Sequence, residues 1–274
     1  MRHRLLIPFL LIVIFESSPH GAVGLYAQSP ALQDSVERNK YDFNQFWNET
    51  GSFIKQPTTW GGSDWLKLGL TGAGTFLVMQ ADQPIRDDVL KDQRYYKSVP
   101  IEFGRMWGEL YAPVVLFGGF AVHSMFTNDM GTRKIAYEIG QASLYAGGVN
   151  YILKVAFGRA RPYTEEGHTS YHPFSSLFEV DHQSFPGGHN TAAFAISTVL
   201  SRNAKPVWLK TVAYLPAVLT FVSRVYQDQH WTSDDFAGAA CGYFIATWVV
   251  NLHEQKESRI QVSSIYPLTI RIAF

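Results

Sequence analysis

Three short stretches in the middle of the chain gather residues that could do chemistry on a phosphate ester. Lys154 precedes Arg161-Pro162, Phe185-Pro186-Gly187-Gly188-His189 follows, and Ser223-Arg224 leads to His230 and Asp234. They bring three cations, a Gly-rich turn and two histidines, one with a carboxylate four residues on. Lys154 and Arg161 begin on one helical face. Gly158 and Pro162 predict that the helix ends between them and releases Arg161 into a loop. An Arg fork can grip two phosphate oxygens, and Lys supplies a point charge. Gly187 and Gly188 let the backbone approach a ligand, and free amides at a helix start bind anions. A carboxylate on one nitrogen of His230 would fix its tautomer and free the other as a nucleophile. Each stretch alone also has a plain reading: Lys154 as a snorkelling lysine at a helix end, Arg161-Pro162 as an ordinary loop, the glycines as a simple turn, and His230 as a surface cap.

The elements that must position these residues read as helices. Apolar patterning predicts six segments, about 64–81, 107–126, 133–157, 189–203, 207–227 and 233–255. Gly158, Pro162, Pro173 and Pro186 punctuate the loop between the third and fourth, and Pro206 separates the fourth and fifth. Thr232 with Asp235 resembles a helix N-cap with an acidic partner. Residues 28–63 read as a polar arm whose aromatics (Tyr41, Phe43, Phe46, Trp47, Phe53) dock on the main body. Residues 64–256 form the main domain and 257–274 a tail. In the tail Leu268, Ile270, Ile272 and Phe274 alternate with Thr269, Arg271 and Ala273, the period of a short strand.

Residues 1–27 read as an export signal. Arg2 and Arg4 make a basic start, Leu5–Phe15 an apolar stretch, and Leu25-Tyr26-Ala27 a cleavage site. A membrane anchor is the competing reading. The chain of 274 residues has zero formal net charge and 17 % charged residues, which suggests no nucleic acid or other polyanion as partner. Hydrophobic content of 46 % and aromatic content of 15 % fit tight helix packing or membrane contact. The single cysteine, Cys241, excludes an intrachain disulfide and reads as a buried, inert thiol. His168, His172 and His182 share one loop but lack a metal-site spacing and nearby cysteines, so no metal and no cofactor is expected. His253-Glu254 lacks the second histidine of a zinc-protease helix. Asp228 and Asp235 read as solvated or capping charges.

The spacings Lys-x6-Arg-Pro, Pro-x-Gly-His and Ser-Arg-x5-His-x3-Asp resemble the type 2 phosphatidic acid phosphatase (PAP2) superfamily, which includes bacterial class A acid phosphatases and vanadium haloperoxidases. The resemblance covers residues 154–234, and the helical pattern extends it to about 64–255. It implies an all-α, six-helix bundle, here carrying the polar arm and the C-terminal strand. It further implies that Lys154, Arg161 and Arg224 hold a phosphate with the Gly187 and Gly188 amides. His230 would attack phosphorus, His189 would protonate the leaving oxygen and then activate water, and Asp234 would orient His230. The family usually has Ser where this chain has Gly187; the lost hydroxyl predicts altered affinity with the backbone amide retained. The implied substrate is a phosphorylated lipid or small molecule, handled in the cell envelope. Three true spans after an exported start would put the loop 158–188 on the cytoplasmic side, whereas membrane members of the family place it outside. A periplasmic bundle, attached to a membrane surface, removes that conflict. A vanadium-dependent haloperoxidase and a non-enzymatic envelope component are the alternatives.

Overall fold

A computed structural model describes residues 12–15, 23–26 and 40–265 of the chain. The chain divides into two units, residues 46–251 and a second made of 1–45 with 252–274. In the second, β1 (Ile12–Phe15) pairs antiparallel with β2 (Val23–Tyr26), Ile12 opposite Tyr26 and Phe15 opposite Val23. Tyr41 meets His253 edge-on at 5.5 Å. The rest of the export segment and the alternating tail 268–274 lie outside the described residues.

The larger unit is all-helical. Helix α1 (Phe43–Ile54) enters it, followed by α2 (Gly62–Met79), α3 (Asp82–Leu90), α4 (Val99–Trp107), α5 (Tyr111–Thr127) and α6 (Met130–Phe157). After a long loop come α7 (Gly188–Asn203), α8 (Val207–Val212), α9 (Leu215–Tyr226) and α10 (Thr232–Ile265). The described residues thus hold more helices than the six expected. The fifth segment is two helices, because Pro216 near the start of α9 has no N–H to continue α8 and its ring would clash with a carbonyl one turn back. Helix α3 escaped apolar patterning because its sequence, Asp-Gln-Pro-Ile-Arg-Asp-Asp-Val-Leu, is mostly polar. The arm contains α1, whose Phe53 stacks on Tyr145 at 4.3 Å and whose Glu49 accepts hydrogen bonds from Tyr137 and Gln141. Trp47 of the same helix stays exposed.

The core lies between α6, α7 and α10. Small residues, Ala142, Ala146, Ala195 and Ala246, let these helices approach closely, and Ile139, Ile196, Val199 and Val249 fill the gaps. Helix α6 ends at Gly158, whose φ of 58° is left-handed; a Cβ there would meet the His172 carbonyl oxygen. Only glycine permits that turn, and it throws the chain into the loop carrying Arg159 and Arg161. Asp234, rather than Asp235, caps the start of α10, its Oδ2 accepting from the Trp231 amide at 2.9 Å.

The outer surface is unusually apolar. Val114, Val115, Met125 and Phe126 of α5, Leu66, Leu70 and Leu77 of α2, and Val207 and Trp208 of α8 are all exposed, Phe126 at 86 %. Large exposed apolar patches mark interaction with lipid or protein. Among the described residues, one helical stretch, Thr232–Gln255, is long and apolar enough to cross a membrane.

Candidate functional site

The three sequence stretches converge. Helix α6 delivers Asn150 and Lys154 one turn apart, aimed at the turn before α7. Asn150 Nδ2 donates to the Pro186 carbonyl at 3.2 Å and to Thr191 Oγ1 at 2.9 Å. Lys154 Nζ donates to the carbonyl of Gln183 and reaches that of Ser184 at 3.5 Å. Burial, reinforced by the nearby Arg161 charge, lowers the Lys154 ammonium to about 7. Arg161 donates through Nε to the Val180 carbonyl and through Nη1 to that of Gln229, each at 3.2 Å. Arg224 is held by Gln227 Oε1 at 2.6 Å, and Gln227 in turn donates to Glu102 at 2.9 Å. The buried Arg224 Nε has no protein acceptor among the described residues.

The two histidines face each other, ring centroids 6.1 Å apart. His230 is buried, and burial followed by the charges of Arg161 and Lys154 holds its imidazole well below the usual histidine range. A neutral ring with a free lone pair can act as a nucleophile. Nε2 of His189 lies 3.3 Å from Arg224 Nη1 and 3.4 Å from Glu109 Oε1. Burial and the Arg224 charge lower it to about 4. A dianion seated among the three cations would reverse that push and favour the protonated, acid form.

Two expectations need correction. The Gly187 amide donates to the Asp234 carbonyl at 2.8 Å and so is not available to an anion. The donors left at the helix start are the amides of Gly188 and the residues after it, within the first turn of α7. His230 Nδ1 is 4.0 Å from Asp234 Oδ2, too far for the expected hydrogen bond. The Asp234 carboxylate is taken by others: Arg159 Nη1 at 2.6 Å, the Ser184 hydroxyl and the Trp231 amide. Asp234 therefore anchors the backbone beside His230, through the Trp231 amide, rather than the imidazole itself.

Sequence reasoning missed four groups. Arg159 is wholly buried and joins Asp234 to Asp82 of α3, at 2.6 and 2.8 Å, with its guanidinium over the Trp231 ring. Its signal was a second arginine two residues before Arg161. Glu109, between α4 and α5, faces His189 and also accepts from Arg105 at 3.0 Å. Arg86 of α3 grips Asp228 and Glu165, each at 2.7 Å, tying the His230 loop to the Arg161 loop, so Asp228 is paired rather than solvated. Asp235 is fully buried, not a capping charge. Burial and Asp234 raise its carboxyl well above the usual range. Neither of its oxygens has a donor in hydrogen-bonding geometry among the described residues, although the Asn190 amide is close enough to favour the charged form.

The sequence model of the PAP2 superfamily matches residues 138–258. A lipid A 1-phosphatase of Porphyromonas gingivalis is 29 % identical over 131 residues, 46 % of this chain and 26 % of that protein. The match therefore spans about a quarter of that relative's length. A lipid phosphate phosphatase gamma of Arabidopsis thaliana is 26 % identical over 184 residues, 62 % of this chain and 75 % of the relative. Among solved structures, a transmembrane PAP2-type phosphatidylglycerolphosphate phosphatase from Bacillus subtilis aligns with a TM-score of 0.49 at 20 % identity, over 70 % of this chain and 94 % of that one.

Proposed function

Because the chain belongs to the PAP2 superfamily, we propose that it is a phosphatase that removes phosphate from a phosphorylated lipid at a membrane of the cell envelope. The observation that carries this reading is the buried imidazole of His230, facing His189, with Arg224 against His189 and the Lys154 and Arg161 charges nearby. In the first step a lone pair of His230 attacks phosphorus. The ester P–O bond breaks, and the leaving oxygen takes a proton from His189. In the second step neutral His189 takes a proton from water, the hydroxide attacks the phosphohistidine, and the P–N bond breaks to release phosphate. The three cations and the α7 amides stabilise the equatorial oxygens, the dominant contribution in phosphoryl transfer. Cations so placed can do this work without a metal at the reacting centre.

A lipid substrate is supported by the surface beside the site. A shallow, mostly apolar cleft of about 500 Å³ is lined by Leu70, Phe194, Phe221, Phe236 and Phe244, with Lys67 at its edge. Phe236 follows Asp235 on α10, so the cleft lies one step round the helix from the site wall. The exposed apolar side chains of α2, α5 and α8 fit association with a membrane surface. Export by residues 1–27 would place the activity outside the cytoplasm.

The test is phosphate release from phosphorylated lipid in mixed micelles and from a nitrophenyl ester. Turnover on the lipid, lost in His230→Ala, supports the reading. Bromide oxidation with vanadate and peroxide in place of ester hydrolysis would assign a haloperoxidase. Neither activity in folded protein would leave a non-enzymatic envelope component.

A further inference from the structure

The loop between α6 and α7 carries a second cluster that takes no part in the chemistry above. Glu166, His172 and His182 come from three points along it, with one ligand atom of each within 4.8 Å of the others. The two imidazoles stack, centroids 4.1 Å apart and planes 18° apart. His172 Nε2 lies 2.6 Å from Glu166 Oε2, and His182 Nε2 lies 3.4 Å from Oε1 of the same carboxylate. The Ser170 hydroxyl is 3.0 Å from both His172 Nε2 and Glu166 Oε2.

The far side of His182 decides what this arrangement wants. Its Nδ1 is 2.9 Å from Glu179 Oε2 and 2.7 Å from Ser175 Oγ. A carboxylate only accepts, so Nδ1 carries the proton. In the neutral ring Nε2 is then a bare lone pair turned toward a carboxylate oxygen. Lone pair and carboxylate repel unless a proton on the ring or a metal cation sits between them, and a metal cation would serve His172 Nε2 on the same carboxylate as well. A carboxylate that fixes one histidine nitrogen while the other points at a shared centre is the usual support of a metal-binding histidine. Two imidazoles, a carboxylate and an open position suit zinc and its neighbours.

We propose that Glu166, His172 and His182 bind a divalent zinc-type ion, with Glu179 and Ser175 orienting His182. The ion is structural. It would pin together the parts of the loop on which the two phosphate cations lean. The His172 amide donates to the Gly158 carbonyl at 2.8 Å, the Arg161 amide to that of Asp181 at 2.9 Å, and Lys154 to that of Gln183. Only this last consequence rests on the phosphatase reading; binding itself does not.

The experiment uses tag-free full-length protein, stripped with chelator and titrated with Zn²⁺ by calorimetry and with Co²⁺ by visible absorption. One ion per chain is expected, with a higher unfolding temperature when it is bound. His172→Ala with His182→Ala is expected to abolish the site. Glu179→Gln, which preserves the fold and all three ligands, is expected to weaken binding by roughly 10–100-fold, the usual cost of losing such a support. His123→Ala, on α5, is expected to bind as the wild type does. No saturable binding by the wild type, or unchanged binding in the double variant, overturns the proposal. Either result stands apart from whether the chain hydrolyses phosphate esters.

Discussion

A Cβ placed on Gly187 would lie 2.4 Å from Asp235 Oδ1, so the absence of a side chain at one position and the buried carboxyl at the other depend on each other. Where the family resemblance implies a serine hydroxyl, this chain has room filled by an acid from α10. Overpacking such a site costs typically about 1–3 kcal/mol. Gly187→Ser is therefore expected to lower stability by that amount in urea denaturation, and Gly187→Ser combined with Asp235→Ala to recover part of it, since the Asp234 carbonyl oxygen and Asp235 Cα, each 3.1 Å from the added Cβ, remain. Additive losses in the double variant would show that the two positions do not couple.

Asp235 also sets a pH dependence. Its carboxyl is raised in the folded state by burial and Asp234, against the favourable charges of Arg224 and Lys154. The folded protein thus holds this proton to higher pH than the unfolded chain does. Stability from this group is complete below the ordinary carboxylate value and falls as pH rises above it. Asp235→Asn, which stays neutral, is expected to gain on the wild type steadily from acid to neutral pH in thermal unfolding. A stability difference independent of pH would mean that Asp235 is already ionised in the native state.

Anion binding should move protons. His189, lowered to about 4, favours its neutral form at pH 7, and the Lys154 ammonium, lowered to about 7, gives up its proton more readily than an ordinary lysine. A bound dianion favours the charged form of both. Calorimetric titration with vanadate in buffers of different ionisation enthalpy is expected to show net proton uptake at pH 7, smaller in His189→Ala. No uptake, or equal uptake in the two proteins, contradicts these assignments.

Much of this site was legible because its chemistry needs particular residue types at particular spacings. Lys154, Arg161, Arg224, His189 and His230 all reach one place, since each spacing matches a helix end or the turn beside it. What was not legible depends on contacts across the fold. Asp82 lies far from Arg159 and Asp234 in sequence, so no local pattern joins them. Asp235 read as a solvated or capping charge because its burial follows from how α10 packs on the Gly187 turn. The His230–Asp234 bond read from a four-residue spacing fails because Arg159 and Ser184 claim the carboxylate first. Helices with strong apolar patterning were read to within a few residues, except that α10 runs on to Ile265, ten residues past the expected end and into the expected tail. The polar α3 and the break at Pro216 were missed because patterning does not register them.

Arg159 gives the sharpest stability prediction. It is buried between two carboxylates, and its removal leaves both without their cation. Breaking a buried pair from one side typically costs about 3–5 kcal/mol. Arg159→Met is expected to destabilise by at least that range in urea denaturation, while Arg161→Met, at a partly exposed loop position, costs far less stability but loses vanadate binding. Similar stability losses in both would remove the distinction between a structural and a phosphate-binding arginine.

The account rests on the division of labour between the two histidines, and rapid-quench labelling with a nitrophenyl ester tests it most directly. His230→Ala lacks the nucleophile and is expected to form no phosphoenzyme. His189→Ala lacks only the acid and base, whose help is typically worth ~10²–10⁴-fold. A good leaving group spares it part of that loss in the first step, while the second step stays slow. The predicted result is a trapped phosphohistidine in His189→Ala and none in His230→Ala. Equal labelling of both variants, or labelling of His230→Ala alone, would contradict the assignment.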